Sequence, residues 1–265
     1  MTQISLLGCG WLGFPLAKSL LQKSYLVNGS TTSVNKLAVL KAAKIHPFLI
    51  QVNEQSIDGD LALFLHNSKV LIIDIPPKLR GKSSENFVSK IKNTVSFIEQ
   101  AKIKNVLFIS STSVFADDNS VVTERSAAVP DTESGKQLLE VENILRANAN
   151  FETTIVRFGG LIGPDRHPIK MLSGKTNVPN PNAFVNLIHQ NDCIAIIEKI
   201  IAKSAFGKTY NAVAPIRLSR QVYYTQKAIE FKVTPPLFDT SKPSVGKQVL
   251  SDYLCADLDF CFQNI

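Results

Sequence analysis

A glycine-rich turn near the start of the chain constrains the fold more than any other feature. An apolar run at residues 4–7 leads into Gly8-Cys9-Gly10-Trp11-Leu12-Gly13, after which apolar residues recur at helical spacing. In such strand–turn–helix units the first glycine makes the bend, the second admits a diphosphate, and the third lets the helix pack closely on the strand. The helix amides and dipole favour the negative charge. The sequence therefore predicts a dinucleotide site that includes Gly8, Cys9, Gly10, Trp11, Leu12 and Gly13.

Strand-like and helical segments alternate along the first 160 residues. Apolar runs typical of strands cover residues 4–7, 25–29, 47–52, 70–75, 105–110, 153–158 and 209–213. Helical periodicity covers residues 12–23, 34–43, 86–101 and 134–147. Because the runs are almost continuously apolar, we expect strands that are buried on both faces. The pattern predicts an α/β fold with a doubly wound parallel sheet.

The pattern changes after residue 160, where glycine, proline and asparagine become frequent up to residue 182. Further helices are expected to begin near Asn191 or Asp192, either of which could cap the helix, and at Ser219. We therefore expect a dinucleotide-binding domain over residues 1–160. A small α/β substrate-binding lobe is expected over residues 161–265, with one strand that helps to complete the sheet.

The bulk composition argues against several classes of protein. The net charge is +7, but the basic residues are scattered and form no nucleic-acid-binding signature. No apolar run approaches the roughly 20 residues that a membrane helix needs, and no secretory signal precedes the first strand. The four cysteines form no C-x-x-C pair and no metal-ligand pattern. We expect a cytoplasmic protein without disulfides or bound metal, and with no membrane or nucleic-acid partner.

The end of the second strand indicates which dinucleotide is used. An NAD site usually has an acidic residue here to bind the ribose hydroxyls, whereas residues 28–33 contain no carboxylate. Ser30, Thr31 and Thr32, with Lys36 nearby, would instead accept a 2′-phosphate. The sequence therefore favours NADP over NAD. In the alternative interpretation these hydroxyl side chains only cap the following helix, and one segment could do both.

Several motifs occur in the order typical of a known family. They are Gly10-Trp11-Leu12-Gly13, Ser110-Ser111-Thr112-Ser113-Val114-Phe115, Arg157-Phe158-Gly159-Gly160-Leu161-Ile162-Gly163-Pro164, Asn186-Leu187-Ile188-His189-Gln190-Asn191-Asp192 and Tyr210-Asn211. In this the chain resembles the NAD(P)-dependent epimerase/dehydratase family, the extended and atypical branch of the short-chain dehydrogenases/reductases with a Rossmann fold. It is most similar to the YeeZ-like group of bacterial proteins. The resemblance also implies that a homodimer could form through paired helices.

The resemblance implies a catalytic set. By the family pattern Ser111 would hydrogen-bond the substrate oxygen, and Lys136, followed four residues later by Glu140, would hold the nicotinamide ribose. The acid/base tyrosine of the family would then be Thr132, whose hydroxyl titrates far above neutral pH and cannot replace a tyrosine. In a second departure from the family pattern, Leu7 stands where the first glycine of G-x-x-G-x-x-G is expected.

Other residues are expected around the same crevice. The ends of neighbouring parallel strands form the ligand crevice in this fold, and these ends carry Ile75, Pro76, Pro77, Ser110 and Phe158. An acid/base group could instead be Lys136 if it is desolvated, or His167, whose ordinary pKa suits the role. Tyr223 and Tyr224 could serve only if the lobe folds over the site. We expect Arg166 and His167 to bind an anionic group of the substrate; in the alternative interpretation both simply face water.

Structural roles are open for part of this set. Ser110 and Ser111 could simply cap the end of a strand. Lys136 and Glu140 have the spacing of an ordinary helical ion pair. His189 and Asp192 are expected to anchor the loop that enters the next helix, rather than to act in catalysis.

Two classes of function follow from the sequence. The first is a NADP-dependent oxidoreductase or epimerase that acts on a nucleotide-sugar or a small carbonyl compound. The alternative is a NADP(H)-binding sensor or interaction protein that has lost the chemistry, as the missing tyrosine suggests. The glycine turn also resembles that of the β-hydroxyacid dehydrogenases, but their all-helical second half does not match the strand-like runs at 153–158 and 209–213.

Overall fold

The secondary structure alternates as the sequence predicts, in a computed structural model that describes residues 1–77 and 85–263. In chain order the elements are β1 (Gln3–Leu7), α1 (Gly13–Gln22), β2 (Leu26–Thr31), α2 (Val34–Ala42), β3 (His46–Leu49), β4 (Gln51–Val52), β5 (Ile57–Asp58), α3 (Leu61–Leu65), β6 (Val70–Ile73), α4 (Phe87–Gln100), β7 (Asn105–Ser111), β8 (Val121–Val122), α5 (Glu133–Arg146), β9 (Glu152–Phe158), β10 (Gly160–Ile162), α6 (Ile169–Leu172), β11 (Leu187–His189), α7 (Gln190–Ala202), β12 (Thr209–Ala212), α8 (Arg220–Glu230), β13 (Gln248–Val249) and α9 (Asp252–Leu258).

The central sheet has seven strands in the order β12-β9-β7-β6-β1-β2-β3. Every neighbouring pair is parallel, with Leu6 of β1 opposite both Gly29 of β2 and Ile72 of β6. The predicted doubly wound parallel sheet is therefore confirmed. The strand order reverses between β1 and β6, the point at which this fold opens a crevice for ligands.

Helices cover both faces of the sheet. One apolar cluster includes Leu16 and Leu20 of α1 with Ile197 and Ile200 of α7. The apolar cluster on the other face is built from side chains of α4 and α5, such as Ile91 of α4. Each such side chain contributes about 1.5–3 kcal/mol when fully buried. The continuous apolar strands are explained by this burial from two sides.

The chain after residue 160 contributes to the sheet and also packs on its own. Strand β12 pairs with β9 at the sheet edge, while Ile169 of α6 and Tyr224 of α8 belong to a separate apolar cluster. Helix α8 has Ser219 as its N-cap, as predicted, and the Ser219 side chain accepts a hydrogen bond from the Val222 N–H. The cap of α7 is His189 rather than the predicted Asn191 or Asp192, because the His189 ring accepts from the Asn191 N–H.

The predicted strand at residues 47–52 is divided in two. Strand β3 ends at Leu49 and pairs with β2, whereas β4 pairs antiparallel with β5. Between them the Ile50 N–H donates to the Thr31 carbonyl. Helix α3, with five residues, was not expected from the sequence. No helix in residues 1–77 and 85–263 has both the length and the apolar character needed to cross a membrane.

Candidate functional site

The glycine turn lies at the carboxyl end of β1, where the strand order reverses. Gly8 has a φ of +111°, and a Cβ placed on it would lie 2.3 Å from the carbonyl oxygen of Asp74. A Cβ on Gly13 would lie 2.1 Å from the Gly8 carbonyl oxygen. Both positions therefore require glycine for the turn itself. Gly10 differs, because a Cβ there would meet no atom within 4 Å.

The turn presents free donors at the start of α1. Among the described residues, the N–H groups of Trp11 and Leu12 have no backbone acceptor, while the Gly13 N–H faces the Asp74 carboxyl. The N-cap residue Leu12 offers no side-chain hydrogen bond, and the first turn of α1 contains no acidic residue. Amides that converge on a helix N-terminus beside an open glycine form a site for a phosphate group. This geometry fits the diphosphate of a dinucleotide.

The second strand holds the turn in place. The Gly8 N–H donates to the Ser30 hydroxyl at 2.9 Å, and the Cys9 N–H donates to the Ser30 carbonyl at 2.8 Å. The Cys9 side chain points into the core, where a Cβ on Gly29 would lie 2.6 Å from its sulfur. Burial raises the pKa of the Cys9 thiol to about 12. Ser30 and Cys9 therefore shape the turn from beneath it.

The hydroxyl and ammonium side chains that follow Ser30 differ in their exposure to solvent. Thr31 is buried, and its hydroxyl accepts from the Ser33 N–H. Thr32 and Lys36 are exposed beyond the end of β2. Ser33 is the N-cap of α2 but makes no side-chain cap hydrogen bond. The exposed hydroxyl and ammonium groups thus remain available to a ligand at this strand end.

Trp11 joins the turn to the chain that follows β10. Its indole Nε1 donates to Asp165 Oδ1 at 2.9 Å, which lowers the pKa of that carboxyl. The Arg166 guanidinium carbon lies 5.1 Å from the centre of the Trp11 ring. The Gln190 side chain donates to the Trp11 carbonyl at 2.7 Å. Arg166, predicted to bind substrate, therefore lies beside the glycine turn.

The carboxyl ends of β6, β9 and β7 lie along the same edge of the sheet. Ile75, Pro76 and Pro77 lie just beyond the end of β6. Phe158 at the end of β9 is 2 % exposed and belongs to the apolar core. It can contact a ligand only through the small part of its surface that stays open.

Two neighbouring serines at the end of β7 have different environments. The Ser111 hydroxyl caps the short 3₁₀ helix Thr112–Val114 by accepting from the Ser113 N–H at 3.2 Å, and the residue is partly exposed. The Ser110 hydroxyl is buried and donates to Glu142 Oε1 at 2.6 Å. Ser111 therefore remains accessible at the crevice, while the Ser110 side chain is used inside the protein.

Glu142 forms a buried ion pair that the sequence did not predict. Its carboxylate is fully buried and lies 2.6 Å from Arg157 Nη2. The Arg157 guanidinium carbon also lies 5.0 Å from the centre of the Phe115 ring. The pair joins α5 to β7 and β9. The signal in the sequence is an arginine inside an apolar strand and a glutamate flanked by Val141 and Leu145 on the apolar face of a helix.

The first turn of α5 packs against the segment after Ser111, since a Cβ on Gly135 would lie 2.1 Å from the Ser113 carbonyl oxygen. Thr132 is the N-cap of α5, and its hydroxyl accepts from the Gly135 N–H at 3.1 Å. Lys136 is exposed, so the burial that its role as a base would require is absent. Glu140 pairs with Lys92 at 3.5 Å rather than with Lys136.

His167 lies inside the lobe. The residue is 7 % exposed. Its Nδ1 accepts from the Ile169 N–H and its Nε2 lies 3.1 Å from the Tyr223 hydroxyl, an arrangement that places the ring proton on Nε2. Burial lowers the pKa of His167 to about 4. The ring is therefore neutral at physiological pH, and the near-neutral pKa expected from sequence is not retained.

Tyr223 and Tyr224 are buried against His167 in the same aromatic cluster. Burial raises the pKa of both phenols. These residues do not meet the condition under which they could act at the crevice, because their side chains pack within the lobe. Within the described ranges, His, Cys, Asp and Glu side chains form no cluster of three or more that could hold a metal ion.

The comparisons with known proteins include relatives that match over nearly their full length. The chain is 32% identical over 265 residues to the protein YeeZ of Escherichia coli K12, which covers 99% of this chain and 96% of that protein. A scan against protein-family models gives no match. The predicted similarity to the YeeZ-like group is confirmed.

Solved structures show the same fold. A putative NAD-dependent epimerase/dehydratase of Methylobacillus flagellatus is 24% identical, with a TM-score of 0.77 over 100% of this chain and 93% of that one. MoeE5 in complex with UDP-glucose and NAD is 15% identical, with a TM-score of 0.79 over 100% and 94%. The predicted Rossmann-like fold is confirmed by these similarities.

Proposed function

The chain belongs to the family of the bacterial protein YeeZ, and on that premise we propose that it is a dinucleotide-dependent enzyme of the epimerase/dehydratase type. The observation that carries the proposal is the glycine turn, with its Trp11 and Leu12 amides unpaired in the described structure and open space over Gly10. When bound, a nicotinamide dinucleotide would supply hydride chemistry at the crevice. Ser111 would orient the substrate oxygen from the end of β7.

A nucleotide-sugar is the substrate class that we favour, with a small carbonyl compound as the second. MoeE5, which shares the fold, has been solved with UDP-glucose and NAD. The chain after residue 160 would bind this substrate, and Arg166 would meet its anionic part beside the turn. We place the enzyme in the cytoplasm, where its cysteines would stay reduced.

We further propose that NADP is preferred over NAD. The second strand ends without a carboxylate that would repel a 2′-phosphate, and Thr32 and Lys36 are exposed there. A 2′-phosphate could accept hydrogen bonds from both side chains. Calorimetric titration with NADPH and NADH should therefore give the lower dissociation constant for NADPH.

Gly10→Ala is the sharpest test of the dinucleotide site. The added methyl group meets no protein atom, so we expect thermal stability to stay unchanged. The methyl group would occupy the space through which the diphosphate approaches the backbone, and we expect NADPH affinity to fall at least about tenfold, which corresponds to about 1.4 kcal/mol. Calorimetry of native and variant protein, with a melting curve of each, measures both effects.

A native protein that binds neither NADPH nor NADH would refute the proposal. Unchanged affinity in Gly10→Ala would place the dinucleotide elsewhere. Tight dinucleotide binding without turnover of nucleotide-sugars or carbonyl compounds would support the dinucleotide site and refute the enzymatic activity.

The buried Glu142 suggests a second alignment of α5 with the family pattern. If the glutamate of the pattern is Glu142 rather than the exposed Glu140, the tyrosine position moves from Thr132 to Ser134 and the lysine position from Lys136 to Leu138. The bond from Ser110 to Glu142 supports this alignment, because it fixes α5 directly beside the Ser111 segment. Both alignments place a hydroxyl of high pKa at the tyrosine position, so we expect slow turnover.

Tyrosine substitutions distinguish the two alignments. We expect Ser134→Tyr to raise the rate of NADPH oxidation with an accepted carbonyl substrate by about tenfold or more, since a positioned acid/base group contributes about a hundredfold to ten-thousandfold. Thr132→Tyr, the matched control, should give no increase and should lose about 1 kcal/mol of stability with its cap. An increase in Thr132→Tyr alone would instead support the alignment with Lys136.

A further inference from the structure

Asp74 is an acidic residue directly beneath the glycine turn, and the proposed function gives it no role. It follows β6 at the point where the strand order reverses, and its N–H donates to the Leu7 carbonyl at 2.9 Å. Its Oδ2 lies 3.1 Å from the position that a Cβ on Gly13 would take. The carboxyl group therefore sits against the first residue of α1, at the end of the helix that faces the diphosphate.

Within residues 1–77 and 85–263, no lysine or arginine acts on the pKa of Asp74. Burial raises the pKa of this carboxyl to about 8, and a hydrogen bond from the Gly13 N–H opposes the increase. In the part of the chain that the structure describes, the titratable groups that face it are Cys9 of the turn and Cys193 of α7, and the charge of Asp74 raises the pKa of both thiols further. Lys36 is close enough to act on Cys9. Both thiols are neutral at physiological pH, so Asp74 is the group that can change its charge there.

The same helix end would have to serve two anions when a dinucleotide binds. The Trp11 and Leu12 amides, unpaired within the described structure, lie next to the Gly13 amide that faces Asp74. Like charges a few ångströms apart disfavour one another, and a carboxyl group in this position takes up a proton when a second anion arrives. The arrangement thus links the charge of Asp74 to occupancy of the diphosphate position.

We infer that Asp74 links dinucleotide binding to a proton. The diphosphate site holds the dinucleotide together with one proton on this carboxyl group. The inference rests on the proposed function, since it needs a diphosphate at the turn. While Asp74 is protonated, the helix end is free to hold the ligand. Once Asp74 is ionised it competes with the ligand for the helix N-terminus, and affinity falls as the pH rises.

The test is the pH dependence of NADH binding. The diphosphate of NADH stays ionised throughout, and NADH lacks the 2′-phosphate, whose pKa is about 6. The single tryptophan of the chain, Trp11, is part of the turn and gives a fluorescence signal. We expect a constant dissociation constant below about pH 7.5 and an increase of up to about tenfold per pH unit above about pH 8. Calorimetry in buffers of different ionisation enthalpy should show proton uptake in that upper range.

Asp74→Asn keeps the size of the side chain and removes the charge. We expect this variant to bind NADH like the native protein at about pH 7 and at least about fivefold more tightly at about pH 9.5, with no proton uptake. Asp118→Asn, an exposed acid far along the chain, is the matched control and should keep the native pH dependence.

The outcomes separate the inference from the proposed function. Native protein that binds NADH with the same affinity across this range, or an Asp74→Asn variant that keeps the native slope, overturns the inference and leaves the dinucleotide site intact. Absence of binding at every pH overturns the proposed function and the inference together. A carboxyl group whose pKa is raised by folding makes the folded protein less stable as the pH rises. The melting temperature of Asp74→Asn should therefore rise relative to that of the native protein between about pH 6 and pH 9, and the absence of this rise also counts against the inference.

Discussion

Glu142→Ala should lower the free energy of unfolding by about 3–5 kcal/mol, the usual cost of leaving one partner of a buried ion pair alone. Glu142 is fully buried and Arg157 is 5% exposed in its side chain. Removal of the carboxylate also leaves the Ser110 hydroxyl without its acceptor. Urea unfolding followed by circular dichroism measures the change.

Glu140→Ala is the matched control, because Glu140 lies on the same helix two residues earlier and its side chain is 55% exposed. Its ion pair with Lys92 should contribute less than about 1 kcal/mol. A second variant tests whether the loss comes from the uncompensated charge. Replacing both partners, Glu142→Leu with Arg157→Met, should recover most of the stability, since apolar replacement of a whole buried pair is often neutral or favourable.

Equal effects of Glu142→Ala and Glu140→Ala would contradict the role assigned to the buried pair. A double variant less stable than Glu142→Ala would show that Arg157 is stabilised mainly by other contacts, such as the Phe115 ring.

The sheet and the glycine turn could be predicted because both depend on short stretches of chain. Six residues specify the turn, and each parallel strand is an apolar run of its own. Helix α3 was missed because five residues give too little periodicity. The end of β6 was placed too late because Ile75 resumes the apolar run after Asp74, although pairing with β1 ends at Ile73.

The side chains of the candidate site were harder to predict, because their environment comes from distant parts of the chain. His167 lies in a loop that sequence alone would leave exposed, yet Tyr223 and Phe231 of the α8 region enclose it. Ser110 and Ser111 are neighbours with different fates, because alternation along β7 sends one side chain to Glu142 and leaves the other at the crevice. Such contacts depend on packing between helices and strands, which local patterns do not contain.

Thr132 shows a related limit. The family pattern assigned it to the tyrosine position by counting from Lys136, but its hydroxyl caps α5 in the structure. A threonine before a helix is also a common cap. The count along the sequence cannot choose between Glu140 and Glu142, whereas burial distinguishes them at once.

Gly8→Ala should be the most damaging substitution in the turn. Gly8 has a φ of +111°, a conformation that costs a residue with a Cβ about 1–3 kcal/mol. The added Cβ would also lie 2.3 Å from the Asp74 carbonyl oxygen and 2.9 Å from the carbonyl carbon, so backbone has to move. Overpacking of this kind costs about 1–3 kcal/mol more. We expect a total loss of about 2–6 kcal/mol and no measurable NADPH binding.

Gly174→Ala separates the two contributions to that loss. Gly174 also has a positive φ, +68°, but a Cβ there would meet nothing within 4 Å. It should therefore lose only the conformational part, about 1–2 kcal/mol, and bind NADPH normally. The difference in the free energy of unfolding in urea between Gly8→Ala and Gly174→Ala measures the cost of the steric clash with the Asp74 carbonyl group. Since Gly10→Ala should keep stability and lose binding, the three variants separate backbone conformation, close packing and ligand access at glycines. Native-like stability and binding in Gly8→Ala would contradict the geometry of the turn, and with it the reason for placing a diphosphate there.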